Sequence, residues 1–103
     1  MQNNITHTHY RIKENSFVAK IAAWKLNAGS VAMVLGHTIH LYNTSKEDFQ
    51  ANERWLKHEL CHVKQFEQYG FFSFVFLYLW ESLNQGYNNN KFEKEARQAE
   101  LNN

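Results

Sequence analysis

Hydrophobic and polar positions divide the chain into blocks of different period. In "SFVAKIAAWKLNAG", Phe17, Ile21, Trp24 and Ala28 recur at helical spacing. Ser16 is placed to cap the start of this block and Gly29 to close its end, so a helix is predicted. The next block, "SVAMVLGHTIHLYN", is rich in β-branched and apolar residues and is broken once by Gly36. It predicts a β-hairpin: Val31 to Val34, a tight turn at Leu35-Gly36, then His37 to Tyr42.

Beyond the hairpin, "NTSKEDF" carries capping-box spacing, Thr44 with Glu47 or Ser45 with Asp48. A helix is predicted from about Lys46 to Tyr69, ended by Gly70, and a further one from Phe71 to about Gln85, ended by Gly86. Asn88 to Asn90 supply turn chemistry and an N-cap for a last helix, "KFEKEARQAELNN". The chain has no proline, so these boundaries rest on caps and glycines. The expected fold is α+β: an N-terminal helix, a β-hairpin forming a small sheet, a helix carrying two histidines, a connecting apolar helix and a C-terminal glutamate-bearing helix. Residues 1–15 read as a flexible polar lead-in and residues 16–103 as a single domain.

Composition narrows the function classes. The 103 residues are 44% hydrophobic and 16% aromatic, enough for the core of one small domain. A net charge of +1, without a basic block or stripe, leaves no electrostatic footprint for nucleic acid. The most apolar run, Phe71 to Trp80, is too short to span a bilayer, which takes about 20 helical residues. It reads as core. "MQNNITHTHYRIKEN" lacks the apolar centre of a secretory signal. The single cysteine, Cys61, rules out an intrachain disulfide and fits a reducing compartment. The cytoplasm is therefore the expected location.

The chemistry concentrates in "HELCHVKQF". His58 and His62 stand at i and i+4 of a helix, which stacks both imidazoles on one face. Leu56, Leu60 and Val63 form an apolar stripe beside them. Zinc binds histidine nitrogens, and a catalytic zinc takes three protein ligands and leaves a fourth place for water. Bound water then becomes acidic enough to supply hydroxide near neutral pH. Glu59 projects beside such a metal, suited to take the proton from that water rather than to ligate. This is the H-E-x-x-H logic of zinc peptidases. The bland alternative is a solvated helix face with two incidental histidines.

A third ligand has to come from elsewhere, and the last helix offers Glu93, Glu95 and Glu100. Glu93 and Glu95 diverge by about 200° on a helix, so both cannot face one metal. Asn90 with Glu93 also has capping-box spacing, in which Glu93 only satisfies the helix start. Other polar groups have plainer readings. Cys61 is expected to be a small packing residue. His37 and His40 fall on opposite faces of a strand, one packed and one solvated. His7 and His9 sit in the polar lead-in. Nothing selects Tyr87 or Arg97 as oxyanion donors over surface residues.

The stretches "VAMVLGHTIHL", "KHELCHVKQF" and "GYNNNKFEKEARQAE", with "KIAAWKL", cover most of residues 16–100. Over them the chain resembles the minigluzincins, the smallest gluzincin-type zinc metallopeptidases, and the compact bacterial H-E-L-x-H-V-x-Q domains related to them. The resemblance implies zinc held by His58, His62 and a glutamate of "FEKEA", with Glu59 as base. The pattern E-x-x-A favours Glu93 as that glutamate, with Glu95 as second choice. It also implies a peptide or protein substrate along the hairpin's outer strand, taken as His37 to Tyr42. Larger relatives often place an acidic residue four positions after the ligand glutamate, where it orients a histidine. Here that position is Arg97, which leaves the support of the histidines unassigned. The function implied is zinc-dependent peptide hydrolysis. The alternatives are a catalytically inactive zinc-bearing binding module, or a metal-free helical adaptor presenting its aromatic helix to a partner.

Overall fold

The hairpin turn fixes the strand register. Gly36 takes φ +67°, which a two-residue hairpin turn needs at its first position and which glycine adopts without strain. The turn is therefore Gly36-His37, one residue later than expected. It joins β2 (Val31–Leu35) to β3 (Thr38–Tyr42), with Leu35 opposite Thr38 and Val34 opposite Ile39. This register places Ile39 and Leu41 together on one face, both fully buried. His40 lies on the other face, where its Nδ1 is 2.8 Å from Ser16 Oγ. His37 sits in the turn, exposed, with Nε2 2.9 Å from Glu67.

The computed structural model describes residues 9–102. Within that range the order is β1 (Arg11–Lys13), α1 (Phe17–Leu26), β2, β3, α2 (Lys46–Ala51), α3 (Glu53–Tyr69), α4 (Phe71–Gln85), a 3-10 turn at Tyr87–Asn89 and α5 (Lys91–Ala99). This is the α+β arrangement the pattern predicts, with three differences that matter for the site.

The first concerns the lead-in. Arg11–Lys13, expected to be flexible, form a strand that pairs parallel with β3, Ile12 opposite Ile39. Three residues are too few to show an alternation in sequence. The sheet order is β1-β3-β2, so β3 is the central strand. The His37 to Tyr42 strand therefore has no free edge for a substrate, because β1 and β2 occupy both sides. Among the described residues the unpaired edge on the site side belongs to β2. His7 lies outside the described residues, and His9 is exposed.

The second difference is a break in the long helix. Asn52 leaves the helical region (φ −89°, ψ 94°), and its side chain accepts from the Trp55 N–H, capping α3 afresh. A short amide side chain that satisfies a nearby backbone N–H competes with helix continuation. The bend lets α2 bury Phe49 completely, edge-on to Trp55 at 5.2 Å.

The third difference is where the large apolar residues go. The sheet has two covered faces. On one, Val34, Ile39 and Leu41 meet Phe49, Leu60, Val63, Phe66, Phe74 and Phe92. On the other, α1 lays Ala19 and Ala23 against Val31. Small residues bring α1 close to the strands, so its bulky stripe faces outward: Phe17 and Trp24 are 71% and 79% exposed. The apolar helix α4 behaves likewise. Phe74 is buried, while Phe72, Phe76, Leu79, Trp80 and Leu83 form an exposed stripe. Its reading as an all-round core helix is corrected: the space beneath it accommodates one face only.

Phe74→Ala is expected to cost about 3–5 kcal/mol of folding stability, typical of a buried aromatic. Phe72→Ala on the outer stripe is expected to stay within about 0.5 kcal/mol. Chemical denaturation of the two variants checks this, and equal losses would show that the outer stripe is packed after all.

Candidate metal centre

Helices α3 and α5 are joined along their length by polar side chains at matching spacing. On α3 these are Arg54, His58, His62 and Gln65. On α5 they are Glu100, Glu93 and the Phe92–Glu95 turn. Arg54 Nη2 lies 3.3 Å from Glu100 Oε1, and His58 Nδ1–H donates to Glu100 Oε2 at 2.7 Å. His62 Nδ1 lies 2.8 Å from Gln65 Oε1, within hydrogen-bond distance. Gln65 Nε2 in turn donates to Glu95 Oε1 at 2.7 Å and to the Phe92 carbonyl at 3.2 Å.

With both Nδ1 atoms engaged, both Nε2 atoms converge on one carboxylate. His58 Nε2 is 3.0 Å from Glu93 Oε1, and His62 Nε2 is 3.3 Å from Glu93 Oε2. One ligand atom from each of His58, His62 and Glu93 lies within 4.8 Å of the others. This donor set suits zinc, which accepts two imidazoles and a carboxylate and keeps a fourth position open. The outward partners on Nδ1 are what such a site requires, since they fix tautomer and ring orientation.

The geometry of α5 separates the two glutamates. Asn90, fully buried, caps the helix by accepting from the Phe92 N–H at 2.8 Å. Its Nδ2 donates to the Tyr78 carbonyl and Ser82 Oγ, anchoring the cap to α4. The cap therefore does not use the Glu93 side chain, which is buried and turned to the histidines. Tyr78 O–H also donates to Glu93 Oε2. Glu95 points to the other side of α5, against Gln65. Of the two named in the sequence, Glu93 joins the histidines and Glu95 does not.

Glu59 is 5% exposed and lines a cleft of about 450 Å³ together with His58, His62 and Glu93. Among the described residues no hydrogen bond engages its carboxylate. The β2 edge, Phe74, Tyr78 and Tyr87 form other walls of the same cleft. Arg97 is not among them: it donates to the Asn88 carbonyl at 2.6 Å and steadies the 3-10 turn. Cys61 lines a separate cleft on the far side of α3. There burial, and next the Glu95 charge, push its thiol up to about 11, so it stays protonated.

The charges around the site displace its titrations. Burial opposes a charge on His58, but the hydrogen bond to Glu93 and the nearby Glu59 and Glu100 carboxylates outweigh it, raising His58 to about 9. His62 is raised in the same way, chiefly through Glu93. Burial also pushes against ionisation of Glu93, and the hydrogen bonds from both histidines overcome it, holding the carboxyl well below its usual range. Burial dominates at Glu59 and lifts it to about 7 despite the positive histidines. Tyr87 is pushed up to about 12, by burial first and then by the Glu93 charge.

Sequence reasoning assigned no role to Gln65 or Tyr78, and named Glu100 only among the candidate ligands, not as the partner of His58 Nδ1. Gln65 follows His62 by one helical turn, and Glu100 follows Glu93 by two, so both were on a readable face. Tyr78 gave no signal within an apolar run.

The fold and site define a small α+β domain with a His-His-Glu group set between two helices. The chain belongs to the eCIS core domain family, whose model matches residues 6–70. The match takes in the sheet and α1–α3, with His58, Glu59 and His62, and stops short of Glu93 and Glu100. No curated protein and no solved structure matches the chain.

The raised His58 value sets an expected pH dependence. Its pairing adds stability to the metal-free chain that is complete below pH 6.5 and is lost as pH rises through about 9. Zinc needs the same Nε2 free of its proton. Zinc affinity is therefore expected to climb between those two values, about tenfold per pH unit for each proton displaced, and then to level off. Chelator-competition titrations across this range check it, and a flat profile would contradict it.

Proposed function

We propose that this protein is a minimal zinc-dependent peptide hydrolase of the gluzincin type. The observation that carries the reading is the convergence of one ligand atom from each of His58, His62 and Glu93 within 4.8 Å, with both Nε2 atoms on the Glu93 carboxylate at 3.0 and 3.3 Å. The Glu59 carboxylate, which no hydrogen bond engages among the described residues, faces the same cleft. Zinc held by these three residues would supply an acidified water and a polarising centre for a carbonyl. The chain's own groups account for the rest. Glu59 takes the proton of the attacking water and returns it to the departing amine. The free edge of β2 offers alternating N–H and C=O groups along the cleft wall, so an extended peptide pairs with Val31–Leu35. Tyr87, protonated at neutral pH, presents a hydroxyl donor to the cleft where negative charge develops on the carbonyl oxygen.

No helix among the described residues is long and apolar enough to cross a membrane. With one unpaired cysteine, the cytoplasm fits best as the place of action.

Elemental analysis should find one zinc per chain, lost in Glu93→Ala. Glu59→Gln should retain zinc and fold but lower turnover of a peptide library by about 10²–10⁴, the usual weight of a general base. Zinc without turnover in the wild type would favour a binding module, and no zinc uptake at all would end the hydrolase reading.

A further inference from the structure

Gln65 is 2% exposed, and both ends of its amide are committed. Oε1 lies 2.8 Å from His62 Nδ1. Nε2 lies 2.7 Å from Glu95 Oε1 and 3.2 Å from the Phe92 carbonyl oxygen. A carbonyl and an ionised carboxylate only accept hydrogen bonds. The NH2 end of the amide must therefore face them, which leaves Oε1 for His62. That oxygen also only accepts, so the proton must sit on His62 Nδ1. The nitrogen left for a metal is then Nε2, the atom 3.3 Å from Glu93 Oε2.

We propose that Glu95 and Gln65 form a positioning pair that locks His62 in its Nδ1–H form, with Glu95 holding the amide the right way round. A reversed amide would present N–H to Nδ1, move the imidazole proton to Nε2 and block the metal. Once Glu95 is made neutral and able to donate, only the Phe92 carbonyl and the weak acceptor Cys61 Sγ, 3.7 Å from Nε2, oppose that reversal. Glu95 thus acts at the metal without touching it. The inference rests on the metal reading above and adds a residue outside the ligand set.

Charge exchange between the two positions tests it. Glu95 is exposed at the surface, so Glu95→Gln is compatible with the fold, which circular dichroism verifies. Its zinc dissociation constant, measured by chelator competition, should rise several-fold. Gln65→Glu, with two carboxylates facing each other, should lose about 10–100-fold, the range for partners of ligating histidines. The double variant Gln65→Glu/Glu95→Gln restores a donor opposite an acceptor at unchanged total charge. It should bind zinc more tightly than Gln65→Glu alone, a rescue that a purely structural role would not give. The second readout needs no metal. In metal-free protein, at a pH where His62 is neutral, imidazole ¹⁵N shifts should show Nδ1–H in the wild type and a tautomer mixture in Glu95→Gln. Unchanged tautomer and affinity in Glu95→Gln, or no rescue in the double variant, would overturn the proposal. A wild type that takes no zinc would remove the hydrolase reading, while the tautomer measurement would still decide this one.

Discussion

One carboxylate shared by two imidazoles holds the functional half of this molecule together. Glu93 is buried where an isolated charge would be costly to desolvate. It stays ionised because His58 and His62 approach its two oxygens from one face of α3. That single arrangement aligns α5 against α3, turns both Nε2 atoms inward and frees both Nδ1 atoms for Glu100 and Gln65. Removing one partner would leave the others as buried charges without compensation, which is why such clusters act as a unit.

The same cluster carries more negative than positive potential. Glu59, Glu93 and Glu100 surround two groups that need not be charged, and the raised histidine values record that excess. Without a cation the site recruits protons. A divalent cation would take over their role and release them, so metal and proton would compete for the same two lone pairs. Glu59 fits this balance: it is buried like Glu93 but has no hydrogen-bond partner among the described residues, and so keeps an affinity for protons that Glu93 has lost.

The apolar residues follow a different logic. The sheet is three strands wide and covered on both faces. One cover, α1, is built on alanines, and the other buries a single residue of α4. Bulky side chains left over on both helices point outward, and residues of the two helices flank the cleft beside the β2 edge. The walls of the cleft are accordingly mostly apolar, and apart from Lys25 and two tyrosines its polar side chains belong to the His-Glu cluster.

Local signals determined much of this protein. The helix spacing of His58 and His62, the position of Glu59, the hairpin and the helix ends at Gly70 and Gly86 all depend on residues within one or two turns of each other. The tertiary structure decided what depends on distant neighbours. Whether Glu93 or Glu95 faces the histidines turned on Asn90 being tied to α4, which a capping pattern alone leaves open. Which strand is the edge turned on a three-residue pairing by Arg11–Lys13, too short to leave a period in the sequence. The orientation of α1 and α4 depended on how much apolar surface the sheet and α3 could cover. A stripe of large residues specifies a helix, but its direction is set by the space on the other side. The supports of the two histidines came from Glu100 and Gln65, which sequence spacing places on the right faces and only the packing of α5 on α3 brings within hydrogen-bond reach.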